Sequence, residues 1–235
     1  MKNEIIRTSM GAYVLKNDTH MSRYVETSLT LDWDNARIVQ FADYIKPGYR
    51  VLDAGACIGD HTLSYAKLVG DKGFVYALEP NPLSFECLKK NMSILNNVVC
   101  HNYALSDVLT KVSITSDPNI GASYLKRFEG TNRDNENQVN TITIDSYVEG
   151  YIDRLDFIHL DVEGFEYFVI KGAMKTIKKF NPVFVIEVCP SHMSRYGVTM
   201  ADLNALIDSI GYELKTITGQ THISQRDMLV VPKNK

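Results

Sequence analysis

The chain has 235 residues, 45% of them hydrophobic, with a formal charge of −3, enough apolar side chain for the core of one α/β domain. So mild an acidic balance gives no general attraction to a polyanion, the short basic clusters Lys126-Arg127 and Lys178-Lys179 read as solvated surface, and no nucleic-acid partner is expected. The opening Met1-Lys2-Asn3-Glu4-Ile5-Ile6-Arg7 lacks the apolar stretch of a secretory leader and no run approaches the roughly 18 apolar residues that span a bilayer, so a soluble, cytoplasmic protein without a membrane partner is expected.

The first forty residues are mixed in character and end with Leu31-Asp32-Trp33-Asp34 before a predicted helix over Ala36 to Ile45, so 1–45 reads as a lid or substrate segment ahead of a domain over 46–235. Arg50 to Ala54 and Phe74 to Leu78 are short, continuous apolar runs, as in strands covered on both faces. Asn81-Pro82 then opens a helix, the Asn as cap and the Pro at the first helical position, with Phe85, Leu88, Met92 and Leu95 as its buried stripe. Val98 to Tyr103 is the next strand. Lys111 to Thr115 and Val139 to Ile144 alternate like half-exposed strands on either side of a polar loop, Thr131 to Gln138. Leu155 to Leu160 and Val183 to Val188 follow as continuous strands. Thr199 with Asp202 resembles a capping box ahead of a helix over Met200 to Ile210, which Gly211 stops, and Tyr212 to Thr218 and Met228 to Val231 complete the strands. Strand–helix alternation of this kind implies a mainly parallel sheet whose strand carboxyl ends open toward one edge, where ligand chemistry belongs. Cys57, Cys87, Cys100 and Cys189 are far apart and form no Cys-x-x-Cys pair, so neither a disulfide nor zinc is expected.

The stretch Val51-Leu52-Asp53-Ala54-Gly55-Ala56-Cys57-Ile58-Gly59, followed by Glu79 at the end of the next strand, has the pattern of a nucleoside-binding strand–loop–helix. Gly55 and Gly59 allow a sharp turn and close approach of a ligand past Ala56. Asp53, beneath the turn, would repel the pyrophosphate of a dinucleotide yet suit S-adenosylmethionine, which carries a sulfonium and an ammonium. Glu79 is placed to accept hydrogen bonds from ribose hydroxyls in either kind of nucleoside. After the third strand, Ser106 and Asp107 fall where an adenine edge would lie, although a polar turn explains them equally well. Taken alone, the glycine motif also fits a tight turn with no ligand.

Taken together, the motifs resemble the FkbM-type family of S-adenosylmethionine-dependent methyltransferases over roughly Lys46 to Pro232. The matching segments are the Val51 to Gly59 motif, Leu78-Glu79-Pro80-Asn81-Pro82, Asn102 to Asp107, Asn119-Ile120-Gly121-Ala122-Ser123, Thr143-Ile144-Asp145-Ser146 and Ile158-His159-Leu160-Asp161-Val162-Glu163-Gly164-Phe165-Glu166, ending at Glu187. The resemblance implies a Rossmann-like class I methyltransferase fold, a seven-stranded mainly parallel α/β sheet with helices on both faces and one antiparallel strand near its edge. It also implies a small-molecule acceptor, usually a hydroxyl of a sugar or secondary metabolite, with Pro80 and Asn81 joining the donor site. Cys57 and His61 stand where many relatives carry Asn and Tyr, which leaves side-chain contacts there open.

A sugar hydroxyl is a weak nucleophile and needs a base or a metal ion to lower its pKa. Asp161, Glu187 and His192 are the catalytic candidates, with Asp161 also near the donor. Three readings compete: Asp161 or His192 as general base, the carboxylates as a Mg²⁺ site of hard oxygen ligands, or Glu163 and Glu166 favouring a helix N-terminus, the structural role being preferred for Glu166. His159, within an apolar strand, reads as a hydrogen-bonded core residue. Tyr24, Trp33 and Tyr196 are candidates to stack on an acceptor, though such aromatics more commonly pack. The alternatives to a methyltransferase are a nicotinamide-dependent oxidoreductase on a similar sheet and a non-catalytic nucleoside-binding domain. Homo-oligomerisation is left open.

Overall fold

Most of the expected strands lie in a single sheet, which the computed structural model, describing residues 4–9, 11–16, 18, 38, 42–115, 120–126, 137–217 and 226–233, resolves in register. The strands are β1 (Ile5–Arg7), β2 (Tyr13–Leu15), β3 (Arg50–Ala54), β4 (Phe74–Leu78), β5 (Val98–His101), β6 (Ala104–Leu105), β7 (Lys111–Ser113), β8 (Gln138–Ile142), β9 (Phe157–Leu160), β10 (Val183–Val188), β11 (Tyr212–Thr216) and β12 (Arg226–Pro232). The helices are α1 (Asp60–Val69), α2 (Pro82–Met92), α3 (Ile144–Tyr151), α4 (Glu166–Lys171), α5 (Met174–Phe180), α6 (Pro190–Ser194) and α7 (Met200–Ser209).

The main sheet has seven strands in the order β11-β12-β10-β9-β3-β4-β5. β12 runs antiparallel to both its neighbours, and the other pairs are parallel. Alternate residues of each strand feed two cores. Leu52, Ile158 and Ile186 pack with Tyr147 of α3, Val169 of α4 and Leu203 of α7, whereas Val51, Val75, Phe157 and Val185 pack with Tyr65, Ala66 and Val69 of α1. Both faces are covered, which is why these strands show no polar alternation, and each fully buried Ile, Leu or Phe contributes about 1.5–3 kcal/mol. The chain order reverses between β3 and β9, so the crevice at their carboxyl ends is the topological switch point where such sheets bind ligands.

Several expected boundaries move. The strand placed over Val139 to Ile144 ends at Ile142, because the Thr143 hydroxyl accepts from Ser146 N at 3.0 Å and starts α3. The strand placed over Val98 to Tyr103 stops at His101, where the Asn102 side chain turns back to the Glu79 and Pro80 carbonyls. The start of β9 shifts from Leu155 to Phe157, since Asp156 Oδ2 instead accepts from Arg50 N at 2.8 Å. β7 and β8 pair antiparallel as half-exposed strands, and β6 joins them in a separate three-stranded sheet. Of the helix expected over Ala36 to Ile45, the described residues show helix at Ile38 and a 3-10 turn at Ala42–Tyr44. Much of the 1–45 segment, including Tyr24 and Trp33, lies outside the described residues, as does most of the Thr131 to Gln138 loop. The four cysteines are free, and among the described residues no helix is long and apolar enough to cross a membrane.

The amino-terminal hairpin packs on α2 and on the turn after β3. Ala12, Val14 and Leu15 share a small core with Ile58 and Cys87. The Asn91 amide accepts from Tyr13 N at 2.6 Å and donates to the carbonyls of Tyr13 and Ile58 at 2.9 and 2.8 Å, so one side chain of α2 joins hairpin and turn.

Candidate active site

The turn after β3 brings two strand ends together. Gly55 has φ +81, and a Cβ there would stand 1.8 Å from the carbonyl oxygen of Asp161 beyond β9, so only glycine fits. Gly55 and Ala56 donate to the Leu78 carbonyl at 3.0 and 3.1 Å, tying the turn to β4. Gly55 lines the cavity as well, but the contact that excludes a side chain is with the backbone, not with space for a ligand. Ala56 is buried under the turn, and Gly59 is the N-cap of α1 packed on Leu88 and Met92, so neither forms cavity wall.

Asp53 stands away from the cavity wall. It shares a sheet face with Val51, toward α1, and is 0% exposed. Its Oδ2 accepts from Thr62 Oγ1 at 2.5 Å, and its Oδ1 lies 3.0 Å from Nδ1 of His159, its register partner on β9. The carboxylate expected to meet a cationic ligand instead braces β3 against β9 and α1, and it is not on the cavity wall. His159 is the hydrogen-bonded core residue it was expected to be.

Glu79 follows β4 directly and does line the cavity. Its Oε2 accepts from Cys57 N at 2.9 Å and its Oε1 from Asn81 N at 2.7 Å, which leaves each oxygen further acceptor capacity. Burial pushes its carboxyl up to about 8, against the downward pull of those two backbone donors, and nearby Asp53 adds a smaller upward push. Burial, with Glu79 and Asp60 close by, raises the Cys57 thiol. Pro80 is on the wall. Asn81 is not: its Oδ1 caps α2 by accepting from Leu83 N at 3.0 Å. Ser106 and Asp107 also stand off the cavity, the Ser106 backbone being tied to Ile142, and the wall at that point is Tyr103, Ala104 and Leu105.

At the other end, the turn after β9 meets the turn after β10. A Cβ on Gly164 would lie 2.4 Å from the carbonyl carbon of His192, so the glycine permits this approach. It brings Glu163 Oε2 to 3.0 Å from His192 Nδ1, outside hydrogen-bonding geometry, with Glu187 Oε2 at 3.7 Å from the same nitrogen. Burial and then the neighbouring Glu187 raise the Glu163 carboxyl to about 7, while His192 and Arg195 draw it down. The Arg195 guanidinium is 3.7 Å from Glu163 Oε2 and lies over the Tyr124 ring. Glu166 has the structural role expected of it: its Oε1 accepts from Val162 N and Gly164 N at 3.2 and 3.4 Å and holds the turn.

The cavity so enclosed measures about 390 Å³. Gly55, Glu79, Pro80, Asp161, Glu187 and His192 line it, whereas Asp53, Ala56, Gly59, Asn81, Ser106 and Asp107 do not. Sequence reasoning missed Asp60 at the start of α1, Tyr103, and the wall from Gly121 to Leu125, while Cys57 and His61, whose contacts it left open, are on the wall. Asp60 follows Gly59 directly, so the turn itself could have pointed to it. Nothing local marks Tyr103 or Tyr124. Tyr196 is a packing residue, its hydroxyl donating to the Leu125 carbonyl at 3.1 Å and its ring set edge-on to Phe165. With Asp60, Glu79, Asp161, Glu163 and Glu187 on the wall, the cavity is acidic.

The chain matches the family described as Methyltransferase FkbM domain over residues 53–214. Hexuronic acid methyltransferase AglP of Haloferax volcanii is 28% identical over 185 residues, covering 78% of this chain and 70% of that protein. A probable cobalt-precorrin-6B C(15)-methyltransferase (decarboxylating) of Sulfolobus acidocaldarius is 30% identical over 153 residues, covering 59% of this chain and 79% of that protein. Among solved structures, the methyltransferase FkbM from Methylobacillus flagellatus has a TM-score of 0.53 at 16% identity, over 88% of this chain and 52% of that one, so this chain spans about half its length. Aeropyrum pernix fibrillarin, solved with S-adenosyl-L-methionine, has a TM-score of 0.51 at 12% identity, over 97% of this chain and 82% of that one. These structural likenesses show the class I methyltransferase fold. The family match runs from the β3 motif through both halves of the cavity into β11, and the chain belongs to the FkbM family of methyltransferases.

Proposed function

We propose that this methyltransferase moves the methyl group of S-adenosylmethionine onto a hydroxyl of a sugar-type small molecule, with hexuronic acids the first acceptor class to test. The observation that carries the reading is the acidic wall at the switch point, formed by Asp60, Glu79, Asp161, Glu163 and Glu187. A sulfonium and an ammonium favour the ionised form of these carboxylates and a pyrophosphate opposes it, which disfavours a nicotinamide dinucleotide. Glu79, with acceptor capacity to spare beside Gly55 and Pro80, suits ribose hydroxyls. Asp53, Ala56, Gly59 and Asn81 serve the donor indirectly by holding the turn. Similarity to a hexuronic acid methyltransferase supports the acceptor class, and four free thiols are in keeping with a reducing, cytoplasmic setting.

Transfer is an in-line displacement: the sulfur–methyl bond breaks as the oxygen–methyl bond forms, and the hydroxyl proton leaves to a base. Holding acceptor, methyl and sulfur collinear supplies much of the acceleration. Asp161 takes the proton from its place between the two halves of the cavity, and Glu187 and His192 order the acceptor end. The test is incubation with radiolabelled donor and a panel of uronic and neutral sugars, with NMR locating the new methyl. A carbon-linked methyl would favour instead the C-methylation named for the Sulfolobus relative, and S-adenosylhomocysteine binding without labelled product from any acceptor would favour a non-catalytic domain. Asp161→Asn is expected to keep S-adenosylhomocysteine affinity within a few-fold while turnover falls by roughly 10² to 10⁴. Unchanged turnover removes Asp161 from the role.

A further inference from the structure

We propose that Glu163, Glu187 and His192 form a binding site for a divalent first-row transition cation at the acceptor end of the cavity. The inference rests on the reading above for the ion's use, but not for its binding.

Glu163, Glu187 and His192 each offer one ligand atom, all within 4.8 Å of one another, and His192 Nδ1 stands 3.0 Å from Glu163 Oε2 and 3.7 Å from Glu187 Oε2. Around an ion with bonds of about 2.0–2.2 Å, neighbouring donors stand roughly 3.0–3.5 Å apart, so a small contraction closes the set. A second observation is independent of this spacing. Glu163 is only 8% exposed, and neither its Oε2 nor His192 Nδ1 makes a hydrogen bond, although the two atoms are 3.0 Å apart. With the Arg195 guanidinium no nearer than 3.7 Å to the oxygen, this buried carboxylate oxygen and imidazole nitrogen have capacity left for a ligand that binds both.

The surroundings hold the donors in place. Glu166 pins the backbone on both sides of Glu163, and Gly164 lets His192 approach. Arg195 offsets one negative charge, and a dication that binds with both carboxylates ionised still meets a net attraction. Glu166 Oε1 is held by its own turn and Glu166 is not one of the three clustered donors, so the set is mixed and not the all-oxygen Mg²⁺ site weighed from the sequence. Imidazole beside two carboxylates suits Mn²⁺, Fe²⁺ or Zn²⁺ better. Three protein donors leave coordination positions open, and all three residues line the cavity, so an acceptor hydroxyl can bind there. The ion lowers the pKa of that hydroxyl, and its proton passes to Asp161 as the oxygen–carbon bond forms and the sulfur–carbon bond breaks, with no change of oxidation state.

The test is titration of chelator-treated full-length protein with Mn²⁺, followed by electron paramagnetic resonance, with Zn²⁺ as competitor. One Mn²⁺ per chain is expected, displaced by Zn²⁺, with spin-echo modulation from one imidazole nitrogen. Glu163→Gln and His192→Ala should each weaken Mn²⁺ binding at least tenfold while the far-UV circular dichroism stays that of the parent. Binding of neither Mn²⁺ nor Zn²⁺, a spectrum without nitrogen modulation, or affinity untouched by both substitutions overturns the site. Because the spectrum is read on the unsubstituted chain, a variant that fails to fold does not rescue the proposal. Absence of S-adenosylhomocysteine binding by the parent, with Mn²⁺ still bound, sinks the donor assignment and not the ion.

Discussion

Glu79 shows how burial and hydrogen bonding set the working state of a single side chain. Its carboxyl titrates near 8 because burial outweighs two backbone donors. The unliganded protein therefore keeps this proton up to about that pH, whereas accepting from ribose hydroxyls favours the ionised form. Below pH 8, binding must also release the proton, so S-adenosylhomocysteine affinity is expected to fall roughly tenfold per unit as pH drops from 8 to 6, and to level off above 8. Calorimetry across that range checks it; a flat profile means that Glu79 does not meet the ribose as a carboxylate. Asp53 shows the other side of the same physics. Its acidity is legible in the sequence, but its direction follows from strand parity, which turns it toward Thr62 and His159. A sequence motif names the residue without saying which face of the sheet it occupies.

Among the elements, α2 carries more than its apolar stripe. Its start was legible in Asn81-Pro82 and that of α7 in Thr199 and Asp202, because caps are local hydrogen bonds between near neighbours. What α2 does with Asn91 was not legible, since Tyr13 and Ile58 meet it only after the hairpin and the β3 turn have docked. Asn91→Ala removes three hydrogen bonds and is expected to destabilise the chain by about 2–3 kcal/mol. It should also weaken S-adenosylhomocysteine binding by roughly tenfold, about 1.4 kcal/mol, because the turn that carries Gly55 loses a tether. Chemical denaturation and calorimetry read the two effects separately. Lost stability with unchanged affinity shows that the hairpin braces the fold without setting the turn.

For the molecule as a whole, the order of strands assembles the site. β3, β4, β9 and β10 are scattered along the chain, yet their carboxyl ends meet at one crevice, so residues from Gly55 to His192 share a wall. A ligand held by so many elements binds only the folded chain. At a hundredfold excess over its dissociation constant, S-adenosylhomocysteine should stabilise the protein by about 2.7 kcal/mol, raising Tm by roughly 5–10 °C. A thermal shift with NADH and none with S-adenosylhomocysteine would return the oxidoreductase alternative to the front.

By itself the sequence determined what depends on short range: the strands and caps, the parallel α/β class, the glycine turn with Glu79 after it, and the family resemblance. These follow from hydrophobic periodicity and neighbour-to-neighbour hydrogen bonds, which survive in a linear string. Tertiary structure alone decided that Asp53 faces inward, that Ser106 and Asp107 stand aside for Tyr103 and Leu105, and that Glu163 joins Glu187 and His192 in one cluster. Those outcomes depend on which strands lie side by side and which face each residue takes, because contacts between distant segments exist only once the sheet has closed.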